Sequence, residues 1–250
     1  MGKCQILVIV ILLFLVPTQS FDFFKLALQW PISVCGQYCK NLPNPMNLTI
    51  HGLWPQIYSS PWTPLSCPLQ NGYTTIGDQS LLKRLKVSWP DVIWGRDERF
   101  WACEWNKHGG CSEQLYNQIT YFNLSVNLKD QFDIFGQLQC AGITPGNYYN
   151  LRHIIGAIEC YTKKQPELIC NVPPGTQPNW NCLWGTQSCT PGIRSCILGK
   201  TNWNWNCFRG CSPQQQLLEV RLCFDKNGVV IDCPGRRKGL PPSIGVSFPI

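Results

Sequence analysis

The segments NLTIHGLWP (residues 47–55) and FWACEWNKHGGC (residues 100–111) contain two of the three histidines in this chain of 250 residues. His51 lies in the first segment. In the second, Glu104 and Lys107 precede His108 at helical spacing. Two imidazoles beside a carboxylate and an ammonium can move protons and offset negative charge. The two segments therefore predict acid and base chemistry on a phosphate ester.

The first segment reads as a β-strand over residues 48–53. On such a strand Ile50 and His51 point to opposite faces, so Ile50 can pack in a core while His51 faces a cleft. Residues 23–30 also alternate, with Lys25 and Gln29 opposite four apolar side chains. This period of two predicts a second strand, buried on one face only.

Helices are predicted at residues 78–86 and 98–108, the second ended by a left-handed cap at Gly109-Gly110. Apolar spacing over residues 151–158 indicates a third, amphipathic helix. Residues 217–224 and 229–232 form a predicted hairpin flanked by Cys223 and Cys233. Helices in the middle and strands at the ends predict an α+β fold with a largely antiparallel sheet packed with helices and stapled by disulfides.

One face of the helix over residues 98–108 combines polar and aromatic side chains. With about 100° between successive residues, Glu104, Lys107 and His108 share an arc with Phe100 and Trp101. A purely structural helix would place charges and aromatics on separate faces, so this face is more typical of a pocket wall.

Metal-independent RNA cleavage needs a base for the 2′-hydroxyl proton, an acid for the leaving 5′-oxygen, and positive charge near the phosphorane. His51 and His108 supply the first two and Lys107 the third, while Glu104 orients a neighbour or donates when protonated. Stacking on bases is expected from the aromatic side chains of Trp54, Phe100 and Trp101. No cofactor and no metal site is predicted, because residues 103–111 lack paired metal-ligand spacing.

The first twenty residues are typical of a cleaved secretory signal peptide. Lys3 precedes an uncharged, mostly apolar run over residues 5–16, and small residues precede Phe21. A membrane anchor is the competing interpretation, but the run is shorter than the roughly 20 residues that cross a bilayer. A secreted, extracellular single domain over residues 21–250 is therefore expected, without a membrane partner.

Cysteine content and glycosylation sequons agree with secretion. The chain has 16 cysteines, and loss of Cys4 with the leader leaves an odd number, so a free thiol or an intermolecular bridge is expected. Sequons begin at Asn47 and Asn123 and predict glycosylation. The net charge of +7 is compatible with a polyanionic partner or with solubility alone.

Residues 173–213 are rich in Pro, Gly, Asn, Trp and Cys. This composition predicts a disulfide-stapled insertion with little regular structure. Its tryptophans either fill a small core of their own, which we favour, or form a recognition surface.

The segments IHGLWP (residues 50–55) and FWxxEWxKHG (residues 100–109) resemble the two active-site segments of the ribonuclease T2 family. The likeness continues through residues 21–31, 140–145, 157–158, 218–225 and 231–234, and within the family the plant S-RNases of self-incompatibility are nearest. The resemblance implies an α+β fold and endonucleolytic cleavage of single-stranded RNA through a 2′,3′-cyclic phosphate. His51 and His108 are then acid and base, with His108 favoured as the base.

Other expectations rest on the same resemblance. Glu104 and Lys107 match positions that stabilise the transition state. Gln29 and the segment with Asp91 and Val92 match a base pocket. The implied disulfides are Cys35 with Cys39, Cys67 with Cys111, and Cys223 with Cys233.

Three positions depart from the family pattern. Cys103 replaces a histidine that assists phosphate binding, and is either a thiol with a lowered pKa or half of a structural disulfide. Gln56 replaces an acidic residue, which leaves base preference open. Cys170 lacks its usual late partner, so pairing within the insertion is expected.

Three roles follow for a secreted monomer of this kind. The first is an S-RNase that rejects pollen, for which the resemblance implies pollen F-box proteins as partners. The second is an S-like defence or phosphate-scavenging ribonuclease. The third is a catalytically silent storage or binding protein, against which the presence of both histidines argues.

Overall fold

The computed structural model describes residues 21–61, 64–67, 71–171, 215–234 and 245–250. The expected signal peptide at residues 1–20 and the whole of the expected insertion at about 173–213 lie outside these ranges.

A sheet of seven strands forms the frame of the described ranges, in the order β2-β1-β5-β7-β3, with β4 and β6 also paired to β5. Its neighbours pair antiparallel except for β5 and β7, so the predicted largely antiparallel sheet is confirmed. The strands are β1 (Phe23–Gln29), β2 (Thr49–Gln56), β3 (Asn147–Asn150), β4 (Glu167–Asn171), β5 (Gln216–Phe224), β6 (Val230–Ile231) and β7 (Gly245–Phe248).

Helices accompany this sheet, which confirms the α+β class. The predicted helices correspond to α2, α3 and α6; α4, α5 and the short α1 were not predicted. Their bounds are α1 (Pro31–Cys35), α2 (Gln79–Ser88), α3 (Asp97–Lys107), α4 (Gln118–Gln131), α5 (Ile134–Cys140) and α6 (Leu151–Thr162).

The strand β1 is buried on both faces, so the predicted half-exposed strand is wrong. Phe24, Leu26 and Leu28 pack in the apolar core, as expected. On the opposite face Lys25 is only 1% exposed and Gln29 only 5%. Lys25 tolerates burial because its ammonium donates to Glu167 at 2.9 Å and to the carbonyl of Pro61 at 2.9 Å.

A β-bulge in β2 sets the position of His51. In the register of β1 and β2, Ala27 lies opposite Gly52 and Leu28 opposite Ile50, so His51 is the extra residue. Ile50 is fully buried in the core, whereas the side chain of His51 is 28% exposed. The predicted division of these two side chains between core and cleft is therefore confirmed.

The three predicted disulfides are present: Cys35–Cys39, Cys67–Cys111 and Cys223–Cys233. Cys103 and Cys170 are also disulfide-bonded, so the free-thiol interpretation of Cys103 is wrong. Free, exposed thiols within the described ranges are found at Cys140 and Cys160.

Candidate active site

Trp54 joins the two predicted catalytic segments. Its indole Nε1 donates to Oε2 of Glu104 at 2.9 Å, which links β2 to α3. Its ring centroid lies 5.0 Å from that of His51 and 6.0 Å from that of His108. The structure therefore brings His51, Glu104 and His108 together around one buried indole.

Gly52 makes this arrangement possible. A Cβ at this position would collide with the indole of Trp54 and with the carboxylate of Glu104. The indole consequently lies directly over the backbone of β2, next to the bulge that holds His51.

His51 is fixed through its ring and its backbone. Nδ1 lies 2.6 Å from Oε1 of Glu219 on β5, and the backbone carbonyl accepts a hydrogen bond of 3.1 Å from Nε1 of Trp89. Because a carboxylate only accepts, Nδ1 carries the proton. Nε2 is therefore the ring nitrogen that remains for chemistry.

His108 is held at the end of α3. The helix ends at Lys107, and His108 is followed by a 3-10 turn over Gly109–Ser112. The predicted left-handed cap is wrong, since neither glycine has a positive φ. Nδ1 of His108 lies 2.7 Å from the carbonyl of Leu65, which again assigns the proton to Nδ1 and leaves Nε2 unprotonated in the neutral ring.

The surroundings shift the pKa values of the two imidazoles in opposite directions. Burial works to lower the pKa of His51, but the charge and hydrogen bond of Glu219 and the charge of Glu104 raise it overall. Burial lowers the pKa of His108, and the charges of Lys107 and His51 lower it further, against Glu104 and the Leu65 carbonyl. Opposite shifts of this kind separate an acid from a base.

Lys107 and Glu104 lie on the side of the site formed by α3. Glu104 is buried and Lys107 is half-buried beside His108. Both side chains act on His108 through their charges: Glu104 raises its pKa and Lys107 lowers it.

Glu219 and Arg221 are site residues that the sequence analysis missed. Nε and Nη2 of Arg221 each lie 2.7 Å from Oε2 of Glu219, and Nη1 lies 3.4 Å from Oε2 of Glu167. The guanidinium also lies over the ring of Trp54, 5.2 Å from its centroid. The sequence does contain a signal that could have revealed them: two opposite charges, two residues apart, on one face of an otherwise apolar strand.

The aromatic side chains differ in their access to a substrate. Phe100 is half-buried, with its ring 6.3 Å from that of His51. Trp101 is in the core, 1% exposed, and its Nε1 donates to the carbonyl of Trp89 at 2.7 Å. Trp54 is also buried, so stacking of bases on Trp54 and Trp101 was a wrong prediction, and only Phe100 among the three stays a candidate.

The residues of the expected base pocket are buried or hydrogen-bonded within the fold. Gln29 is buried at the end of β1, opposite Glu219 in the register of β5. The carboxylate of Asp91 accepts from the backbone N–H groups of Ile93, Trp94 and Arg96. Val92 is buried. Gln56, where base preference was left open, is fully buried as well. The structure thus shows a capped turn at Asp91, and base reading at these positions stays a prediction.

The two sequons lie in different settings. Asn47 is half-buried in the loop before β2. Asn123 lies on α4, where its amide donates to the carbonyl of Ile119 at 3.1 Å. Glycosylation at both stays a prediction.

Within the described residues, no group of His, Cys, Asp and Glu side chains is arranged to hold a metal ion. In the same residues, no helix has the length and apolar character for crossing a bilayer.

Comparison with known proteins agrees with this geometry. Ribonuclease S-6 of Nicotiana alata is 34% identical over 238 residues, covering 92% of this chain and 90% of that protein. Ribonuclease MC1 from bitter gourd seeds superposes with a TM-score of 0.66 at 29% identity, over 91% of this chain and 100% of that one. The self-incompatibility associated SF11-RNase of Nicotiana alata gives 0.65 at 26% identity, over 92% of this chain and 100% of that one.

The family match extends across both catalytic segments. Residues 21–197 match the Ribonuclease T2 family, whose members are endoribonucleases. With His51, Glu104, Lys107 and His108 gathered in one site, this chain belongs to the Ribonuclease T2 family.

Proposed function

We propose that the protein cleaves RNA without a metal ion, with His108 as the general base and His51 as the general acid. Nε2 of His108 removes the proton of the 2′-hydroxyl, and the 2′-oxygen attacks phosphorus. The bond to the 5′-oxygen breaks as Nε2–H of His51 gives that oxygen its proton. The products are a 2′,3′-cyclic phosphate and a free 5′-hydroxyl.

The observation that carries this assignment is the opposite pKa shift of the two rings. Two unperturbed imidazoles with equal pKa values would have the required combination of charges in at most about a quarter of molecules. A lowered pKa at His108 and a raised pKa at His51 increase that fraction. The reverse assignment would need His51 neutral and His108 charged, which is the less populated protonation state of each ring.

Lys107 and Glu104 complete the mechanism. The ammonium of Lys107 beside His108 offsets the charge that develops on the phosphorane oxygens. Glu104 accepts a hydrogen bond from Trp54, and its negative charge raises the pKa of both His51 and His108. It therefore stabilises the imidazolium as the proton moves.

Single-stranded RNA is the proposed substrate. Phe100 offers a half-buried ring beside His51, and a base that leaves its duplex can stack on such a ring. A mutant of ribonuclease MC1 was solved in complex with 5′-GMP, which supports nucleotide binding by a protein of this fold.

The proposed biological role is that of a secreted S-RNase in gametophytic self-incompatibility, with pollen F-box proteins as partners. The residue pattern of the leader, the positive charge and the similarity to ribonuclease S-6 support it. A defence or nutrient role is the alternative, favoured by the comparable similarity to a seed ribonuclease. Accumulation of the protein in styles, and rejection of pollen that depends on it, would separate the two.

The test of the reaction uses the oxidised mature protein, single-stranded RNA and excess EDTA. Cyclic phosphate ends are expected from the wild type and should disappear in His51→Ala and in His108→Ala. His153→Ala is the matched control, since His153 is exposed on α6, and it should cleave like the wild type. Wild-type protein that folds but does not cleave would support a silent binding protein instead.

A further inference from the structure

Glu219 shares its carboxylate between the active site and a buried chain of charges. Oε1 accepts from Nδ1 of His51 at 2.6 Å, and Oε2 accepts from Nε of Arg221 at 2.7 Å, with Nη2 of Arg221 in ion-pair contact at 2.7 Å. Its side chain is only 3% exposed. The chain continues from Arg221 to Glu167 and from there to Lys25.

The contact crosses an intervening strand. His51 is on β2 and Glu219 on β5, and both strands pair with β1. Two strand spacings are about 9.6 Å, so both side chains must extend over β1. Ala27 on β1, opposite Gly52 on one side and Arg221 on the other, has only a methyl group to occupy the space between them, and Gln29 lies directly opposite Glu219.

Burial of a carboxylate at this depth requires strong partners. An isolated buried charge is costly unless it is paired and hydrogen-bonded. Arg221 provides one charge-assisted hydrogen bond and a second ion-pair contact, and the charges of Arg221 and His51 help to hold the pKa of Glu219 at about 2 despite desolvation. Glu219 is therefore ionised whenever His51 works, and Arg221 fixes its orientation.

We propose that Glu219 is a positioning residue, which holds the ring of His51 with a proton on Nδ1 and directs Nε2–H to the leaving oxygen. This inference rests on the proposed function: Glu219 would assist the step in which His51 protonates the leaving oxygen. Without the carboxylate, the doubly protonated ring loses the acceptor at Nδ1. His51 could then no longer hold the second proton that it must deliver.

Among the residues that the structure describes, the charges that act on His51 are those of Glu219 and Arg221 on β5, Glu104 on α3, and His108. Of these four, Glu219 contacts the ring nitrogen Nδ1, at 2.6 Å. Replacement of Glu219 should therefore change the titration of His51 more than replacement of any neighbour.

The main test is Glu219→Gln. The substituted amide presents its oxygen to Arg221 and its NH₂ to Nδ1, which disfavours a proton there. We expect kcat for RNA to fall about 10²-fold, within the range for loss of a general acid. KM should change little, and the alkaline limb of the pH profile should move to lower pH.

A leaving-group comparison separates this role from a structural one. A nucleoside 3′-(4-nitrophenyl phosphate) releases a phenolate that needs no proton, so Glu219→Gln should cleave it nearly as fast as the wild type does. His108→Ala should stay impaired with both substrates, because the 2′-hydroxyl still needs a base. An equal loss with both substrates in Glu219→Gln would overturn the proposal.

Two further variants control for folding. Glu167→Gln removes a carboxylate from the same buried chain without contact to His51, so its melting temperature should fall while the alkaline limb stays in place. Glu219→Asp keeps the charge and should retain more activity than Glu219→Gln. If Glu219→Gln does not fold, the two substrates of the leaving-group comparison are tested with Glu219→Asp instead. A shift of the alkaline limb in Glu167→Gln as large as that in Glu219→Gln would overturn the proposal.

Proton NMR tests the contact independently of cleavage. The chain has three histidines, so their ring signals can be assigned with single variants. The pKa of His51 should fall in Glu219→Gln. If the wild type does not cleave RNA, the proposed function fails, and the titration still decides whether Glu219 controls this ring; an unchanged His51 pKa would overturn the inference.

Discussion

The indole Nε1 of Trp54 donates a hydrogen bond of 2.9 Å to Oε2 of Glu104, and the centroid of the same indole lies 5.0 Å from the ring of His51 and 6.0 Å from the ring of His108. One neutral side chain thus positions the carboxylate and packs near both imidazoles. Their proximity matters because the charge of His51 lowers the pKa of His108.

Trp54→Phe should weaken both catalysis and the fold. It leaves a buried carboxylate oxygen of Glu104 without its donor, which costs about 1–3 kcal/mol, and it frees Glu104 to move. We expect kcat to fall about 10-fold, equivalent to roughly 1.4 kcal/mol. Steady-state kinetics and thermal melting measure the two effects.

Trp101→Phe is the matched control. It removes an indole that donates to the carbonyl of Trp89 at 2.7 Å, and Trp101 is equally buried. Its melting temperature should fall by a similar amount with a smaller loss of kcat. Equal losses of kcat in both variants would contradict a special role for Trp54.

Sequence patterns predicted the parts of the site that are local. The strand with His51, the helix with Glu104 and Lys107, and the hairpin of β5 and β6 all follow from periodicity and turn residues. His108 ends its helix without the expected left-handed cap, because Gly109 packs closely against Trp105 and Tyr121 instead, where a Cβ would lie 2.5 Å and 3.0 Å from their rings. Local spacing does not report such packing.

The parts that depend on distant pairing could not be predicted. His51 and Glu219 are 168 residues apart, and their contact needs a bulge in β2 and a small residue on β1. Alternation in β1 indicated an exposed polar face around Lys25. That face is buried because Glu167, on a strand that alternation did not reveal, supplies the counter-charge.

The pH profile of kcat/KM should be bell-shaped and broad. His108 must be neutral, and its lowered pKa keeps it available to lower pH; His51 must be charged, and its raised pKa keeps it charged to higher pH. The acid limb therefore belongs to His108 and the alkaline limb to His51. Rates across the pH range, with NMR titration of both rings, check the assignment, and a reversed order of the two pKa values would refute it.

Acid should destabilise the protein through Glu219. Its pKa is about 2 in the fold against an ordinary value of 4.5, so its contribution is complete above 4.5 and is lost as pH falls towards 2. The linked change is about 3 kcal/mol. Glu219→Gln lacks this contribution, so denaturant unfolding should show its stability deficit shrinking between these pH values. A deficit that is constant with pH would contradict the depressed pKa.

Gly52→Ala should damage the site by steric overlap. The new methyl group would meet the indole of Trp54 and the carboxylate of Glu104. Overpacking of this kind costs about 1–3 kcal/mol, and the hydrogen bond between the two residues should break. Thermal melting and kcat should both fall.

Gly156→Ala is the comparison for that change. Gly156 is exposed within α6 and nothing lies within 4 Å of its added Cβ. Alanine should therefore stabilise the helix by about 0.5–1 kcal/mol and leave kcat unchanged. If Gly52→Ala behaved in the same way, the packing argument for Trp54 would fail.

The disulfide Cys67–Cys111 should support His108 as well as the fold. Cys67 follows the carbonyl of Leu65 that accepts from His108, and Cys111 lies in the turn after that histidine. The double variant Cys67→Ser/Cys111→Ser opens a link across 44 residues, worth about 4 kcal/mol by loop entropy. The Leu65 segment can then move away and expose the ring.

Exposure should raise the pKa of His108, because burial is the largest cause that lowers it and outweighs the lost Leu65 hydrogen bond. The acid limb of the kcat/KM profile should move to higher pH, with an unchanged alkaline limb. Cys35→Ser/Cys39→Ser opens a link across only 4 residues on α1 and the turn after it, so it should lower stability less and leave both limbs in place. Unchanged limbs in the Cys67 and Cys111 variant would show that Leu65 holds His108 without the disulfide.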